Sequence, residues 1–207
     1  MNKLLISVID LTRLEDDASL EHEKINLLCE KAVTYGVAAV CVYPPYLGFA
    51  KKILKDSFVK LATVVNFPSG LESIEKVILD IHTMIQEGAE EIDLVFPYHD
   101  YLKGREQKAL DLVRAAKKAC GSSLLKVILE TGEVPLSQLA AMARNVIDVG
   151  ADFLKTSTGK VAVGATPEAV SVLLSVIKEK NFSVGLKVSG GVRKKEDAIL
   201  NWNIDDY

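Results

Sequence analysis

Seven times in this chain an apolar run of strand length is followed by a longer segment with helical spacing. No other feature constrains the fold as strongly. The runs are "LLISVIDLT", "VAAVCVY", "KLATVVNF", "EIDLVF", "LLKVILET", "ADFLKTS" and "FSVGLKVS". After the first, Leu20, Ile25, Leu28, Cys29, Ala32 and Val33 recur near 3.6 spacing and Gly36 ends the segment. After the third, Ile74, Val77, Ile78, Ile81 and Ile85 make one apolar face. Thr166 is placed to cap the helix after the sixth run, with Pro167 at its first position. The runs are rich in Val, Ile and Leu and often unalternating, as strands buried on both faces are. Strict βα order demands a parallel sheet, doubly wound or closed into a barrel. No GxGxxG follows the first run, so the dinucleotide-binding version has little support. A (β/α)8 barrel has eight such units and this chain supplies seven, so at this point both parallel architectures stay open.

Composition narrows the partners. A net charge of −3 on 207 residues gives no reason to expect nucleic acid or an anionic membrane. No apolar stretch approaches the ~20 residues of a membrane helix. The N-terminal "MNKLLISVIDLTRLEDD" turns acidic without a small-residue cleavage site and reads as a strand rather than a signal peptide. Cys29, Cys41 and Cys120 are odd in number and lack CxxC spacing, which fits reduced thiols and a cytoplasmic protein. His22, His82 and His99 show no paired ligand spacing, so neither a metal nor another cofactor is expected.

Ligands of parallel α/β folds bind at the carboxyl ends of the strands. The ionisable residues there are Asp10, Asp93, Lys126, Glu130, Lys155 and Lys187, with Cys41 and Asn66 as smaller polar members. Charges on strands this apolar are costly unless they meet one another or water. Lys126 shares strand parity with Glu130 and reads equally as structural or functional; Asp10 reads as a loop buttress or a site residue. Cys41 reads as core rather than nucleophile, since no histidine is marked as its base. Lys155 and Lys187 occupy similar late positions in consecutive strands, followed by "TSTG" and "VSGGV". Two ammonium groups so placed repel, and desolvation also favours the neutral amine, which can attack a carbonyl to form a Schiff base. Asp93 is the candidate carboxylate for proton transfer. Gly159, Gly190 and Gly191 follow these strands and can cradle an anion, assisted by Lys160 or Arg193, or can serve tight turns of positive φ.

The segments "IDLT", "VCVYP", "NFPSG", "EIDLVFPY", "LLKVILETGE", "ADFLKTSTGK", "ATPEAV" and "GLKVSGGVR", in that order, resemble the deoxyribose-phosphate aldolases. These are class I, Schiff-base aldolases with a (β/α)8 barrel, so the resemblance implies an α/β fold, a (β/α)8 TIM barrel whose eighth βα unit is missing, with residues 1–207 as a single, C-terminally truncated barrel domain. The resemblance implies that Lys155 forms the imine, that Lys187 perturbs it, and that Asp93 works through a water in the proton relay. It places Asp10, Cys41 and Lys126 around the pocket, and Thr158, Gly159, Lys160, Gly190 and Gly191 near a substrate phosphate. The implied reaction is reversible cleavage of 2-deoxy-D-ribose 5-phosphate to D-glyceraldehyde 3-phosphate and acetaldehyde, within deoxyribonucleotide and carbohydrate degradation. The implied partners are a phosphorylated sugar and an aldehyde, with a homo-oligomer possible.

Relatives in this family continue past "GGVR" into an eighth strand with a glycine–serine phosphate loop, whereas this chain reads "KKEDAILNWNIDDY". An open barrel with exposed edges on strands one and seven is therefore expected. Two alternatives stay open: another Schiff-base lyase or isomerase on the same scaffold, and a weakly active barrel serving as a binding or assembly module.

Overall fold

A computed structural model describes residues 2–15, 21–180, 184–192, 194 and 197. Leu20, Arg193 and most of the helix expected over "KKEDAILN" lie outside the described residues. The strands are β1 (Asp10–Arg13), β2 (Ala39–Val42), β3 (Lys60–Val65), β4 (Glu91–Val95), β5 (Leu124–Ile128), β6 (Phe153–Lys155) and β7 (Gly185–Lys187). They form one sheet in the order β1 to β7, each pairing in parallel with the next. The helices are α1 (Asn2–Ser7), α2 (Glu21–Tyr35), α3 (Leu47–Leu54), α4 (Ile74–Glu87), α5 (Tyr98–Leu102), α6 (Glu106–Cys120), α7 (Leu136–Asp148) and α8 (Pro167–Glu179). This is the (β/α)8-barrel architecture with seven of its strands among the described residues.

Helix boundaries follow local chemistry. Ser73 caps α4 by accepting the Lys76 N–H, and Gly88 ends it at φ 111°. Thr166 caps α8 by accepting the Ala169 N–H, with Pro167 next in line as expected.

The first apolar run departs from expectation. Residues 2–7 are helix α1, and the strand begins only at Asp10. Asp10 pairs with Ala39, the first residue of β2, so among the described residues β2 offers residues 2–7 no strand to pair with. The Ser7 hydroxyl instead donates to the Leu4 carbonyl and closes a helical turn. The short α5 after β4 was likewise not expected from the sequence.

The main core lies between sheet and helices, where Val40, Leu61, Ile92, Leu94, Leu125, Val127 and Leu154 pack against the helices' apolar faces. The other face of the sheet turns inward. A small apolar cluster of Leu14, Cys41, Ala62 and Val64 lies there, together with the charged residues described below. A cavity of about 780 Å³, bordered by β1 on one side and β7 on the other, opens onto this interior and reaches Asp10, Lys155 and Lys187.

Candidate active site

Strand parity puts charge inside the barrel. Successive side chains point to opposite faces, so Ile92 and Leu94 go to the helices while Asp93 between them goes inward. Leu125 and Val127 bracket Lys126, and Leu154 precedes Lys155, in the same way. Register aligns these residues across the sheet: Asp93 pairs with Lys126, and Lys155 with Lys187.

The result is one connected ionic layer. Lys155 Nζ lies 2.5 Å from Asp93 Oδ2. Lys126 Nζ lies 2.8 Å from Asp10 Oδ2, 2.5 Å from Glu91 Oε2 and 3.7 Å from Asp93 Oδ1. Lys187 Nζ lies 2.7 Å from Asp10 Oδ2. Three carboxylates (Asp10, Glu91, Asp93) thus face three ammonium groups (Lys126, Lys155, Lys187). Matched charge is the condition under which such a layer can be buried.

Burial opposes every one of these charges, and the neighbours decide which way each group moves. Burial raises the Asp93 carboxyl, but Lys155 and Lys126 outweigh it and hold it below the usual carboxylate range. Asp10 is likewise held low by Lys187 and Lys126 against its burial. Glu91 goes up, because burial exceeds what Lys126 returns. Burial alone would lower Lys126 and Lys155; Asp93 leads the carboxylates that push both above the usual lysine range. Lys187 goes down, because burial exceeds the help from Asp10 and the ammoniums of Lys126 and Lys155 add to it.

This corrects one sequence expectation. The amine pushed toward neutrality is Lys187, whereas Lys155 is held cationic by Asp93. The lysine charge that bears most on Lys155 is that of Lys126. Pairing register aligned the two lysines as expected, but each found its own carboxylate.

Beyond the strands, the turns after β6 and β7 are stitched together. Thr156 Oγ1 donates to the Ser189 carbonyl and accepts the Ser189 N–H. Ser189 Oγ donates to the Ser157 carbonyl at 2.6 Å. Ala165 N–H donates to the Gly190 carbonyl, and a Cβ on Gly164 would lie 2.3 Å from that oxygen. Gly159, Gly190 and Gly191 all have left-handed backbones, at φ 78°, 84° and 92°. The tight-turn reading of these glycines therefore holds, and it coexists with the place of Gly159 and Gly190 on the cavity wall.

The remaining expected residues divide. Thr158 donates its hydroxyl and its N–H to the Glu130 carboxylate, at 2.6 and 3.0 Å. Ser157, Thr158, Gly159 and Gly190 line the same cavity as Lys155 and Lys187. Lys160 stands 6.0 Å from the centroid of the Tyr43 ring. Cys41 is buried in the interior cluster, and burial pushes its thiol up to about 12, consistent with a core residue. Asn66 stays apart: its amide bonds the Val95 carbonyl and the Glu72 N–H. The residue that sequence reading missed is Glu91. It starts β4, two positions before Asp93, so equal parity was the available signal.

Comparison with known proteins accords with this geometry. A family model described as the DeoC/LacD family of aldolases matches residues 4–201. A Coccidioides immitis structure, provisionally assigned as a deoxyribose-phosphate aldolase, is 32% identical with a TM-score of 0.92, covering 96% of this chain and 78% of its own. The tetrameric deoxyribose phosphate aldolase of Aeropyrum pernix is 30% identical with a TM-score of 0.86, covering 97% of this chain and 83% of its own. An aldolase designated QR15 is 28% identical with a TM-score of 0.88, covering 95% of this chain and 86% of its own. With the match extending over almost all of its length, this chain belongs to the DeoC/LacD family of aldolases.

Proposed function

We propose that this aldolase-family chain acts, as one barrel domain, as a Schiff-base lyase that reversibly cleaves 2-deoxy-D-ribose 5-phosphate to D-glyceraldehyde 3-phosphate and acetaldehyde. The observation that carries the reading is the buried Lys155–Asp93 pair at 2.5 Å, opening onto a cavity that also holds Thr158, Gly159 and Gly190. An imine-forming amine and an anion-binding turn then serve the two ends of one substrate. A cytoplasmic location, self-association and a place in deoxyribonucleotide and carbohydrate degradation belong to the same reading. No described helix is long and apolar enough to cross a membrane.

The resting pair is ammonium and carboxylate, so a proton must leave Lys155 before it can attack. Asp93 is in contact to take it, and Lys187, whose hold on its own proton burial weakens, lies in the same layer. The Lys155 amine adds to the C1 carbonyl of the open-chain sugar, and loss of water gives a protonated imine. The C3 hydroxyl then gives its proton to a base of the ionic layer. The C2–C3 bonding pair moves into the imine, releasing D-glyceraldehyde 3-phosphate and leaving an enamine. Protonation of that enamine at C2 and addition of water return acetaldehyde and free Lys155. Asp10 and Lys126 hold the layer's charge through these transfers.

Acetaldehyde with borohydride should leave an ethyl group on Lys155, located by peptide mapping. Folded wild-type protein that acquires no adduct at Lys155 would remove the Schiff-base assignment.

A further inference from the structure

Glu130 stands out among the charged residues that the mechanism above does not use. It is fully buried, and its backbone lies at φ 53°, in the left-handed region that a residue with a long side chain seldom enters. Its neighbours hold it there: Glu133 N–H donates to the Glu130 carbonyl, and Thr131 N–H donates across to the Thr156 carbonyl. The carboxylate then reaches the turn after β6 and takes both donors of Thr158, the N–H at 3.0 Å and the hydroxyl at 2.6 Å. Because that hydroxyl donates to Glu130, its lone pairs are left for the Lys160 N–H, which it accepts at 3.0 Å. The chain from Glu130 through Thr158 to Lys160 closes the turn around Gly159, which lies on the cavity wall with Thr158. A neutral amide in place of the carboxylate has a single acceptor oxygen for two donors.

We propose that Glu130 is a positioning residue that builds the Thr158–Lys160 turn before substrate arrives, and so sets the preference for a phosphorylated over an unphosphorylated sugar. This rests on the aldolase reading above. Glu130 touches no substrate itself; its effect passes through the shape of the turn that carries Gly159 on the cavity wall, and a turn already ordered receives an anion without the cost of ordering it.

The test compares KM and kcat for 2-deoxy-D-ribose 5-phosphate and for 2-deoxy-D-ribose on the full chain. Glu130→Gln and Thr158→Val should each raise KM for the phosphorylated sugar about tenfold, equivalent to one charge-assisted hydrogen bond. KM for the unphosphorylated sugar should move less than about twofold, and Thr158→Ser should restore the preference. A preference unchanged in Glu130→Gln, or equal losses on both sugars, overturns the assignment. If Glu130→Gln does not fold, the Thr158→Val and Thr158→Ser pair decides by the same readout. Wild-type protein that forms no borohydride adduct on Lys155 removes the aldolase reading and this proposal together; an adduct with an unchanged preference removes this proposal alone.

Discussion

At the scale of single residues, the site is an exercise in which carboxylate sits beside which amine. Asp93 raises the proton affinity of Lys155, so removing its charge should have two opposed effects. In Asp93→Asn the midpoint of borohydride trapping against pH should move acidward, because more of the amine is neutral at a given pH. Turnover of the sugar should nonetheless fall by about 10²–10⁴-fold, the usual worth of a positioned proton-transfer group. A trapping midpoint that stays put or moves alkaline would show that Asp93 does not govern the Lys155 proton. Five of the layer's six charged residues were visible in the sequence as anomalies on apolar strands. Glu91 was not, because attention to the carboxyl ends of strands passes over a residue at the start of one. The sign of each lysine's shift was also out of reach. It depends on distances of 2.5 to 3.7 Å between residues as far apart in the chain as Asp10 and Lys187, and strand parity supplies a face, not a distance.

At the scale of elements, the alternation of apolar runs and helical segments translated into seven strands in chain order, because each run was long enough to pair and each helix long enough to cross back. It failed at the N-terminus, where apolar character alone does not distinguish a strand from a helix resting on the barrel. Leu4 is 72% exposed in α1, which a strand buried on both faces would not allow. The turns after β6 and β7 behave as one element despite their separation in sequence. Gly164 and Gly190 meet backbone to backbone, with no room for a methyl group between them. Gly164→Ala should therefore cost about 1–3 kcal/mol of stability, as overpacking does, and should weaken sugar-phosphate binding because the Gly190 turn must shift. Ser73→Ala, which removes the α4 cap on a different part of the barrel, should cost about 1 kcal/mol and leave binding as it is. Urea unfolding and KM measured on both variants check this. Equal effects on KM would mean that the stitched turns do not act as a unit.

At the scale of the whole molecule, the ionic layer ties stability to pH. Asp10 and Asp93 titrate below the usual carboxylate range in the folded chain, so their contribution is complete above about pH 4 and is lost as pH falls through their folded values. Glu91, held high, works against the fold as pH rises from about 4 through its folded value. Lys126 and Lys155, held high, contribute fully below about pH 10 and lose that contribution above it. Lys187, held low, withdraws support as pH falls from about 10 through its folded value. The melting temperature should thus fall on the acid side once pH drops below about 4, as Asp10 and Asp93 take up protons and release their lysine partners. Melting curves from pH 8 to pH 3 would show this, and a level melting temperature across that range would contradict it. The same layer has a consequence for folding accuracy. Its members come from β1, β4, β5, β6 and β7, each supplying the one parity that faces inward. A strand that slipped by a single residue would turn its charge toward the helices and its leucine toward the ions, leaving unmatched partners on its neighbours. The residues proposed to break a carbon–carbon bond thereby also reject misaligned sheets: only the chain that has paired every strand in register can bury them.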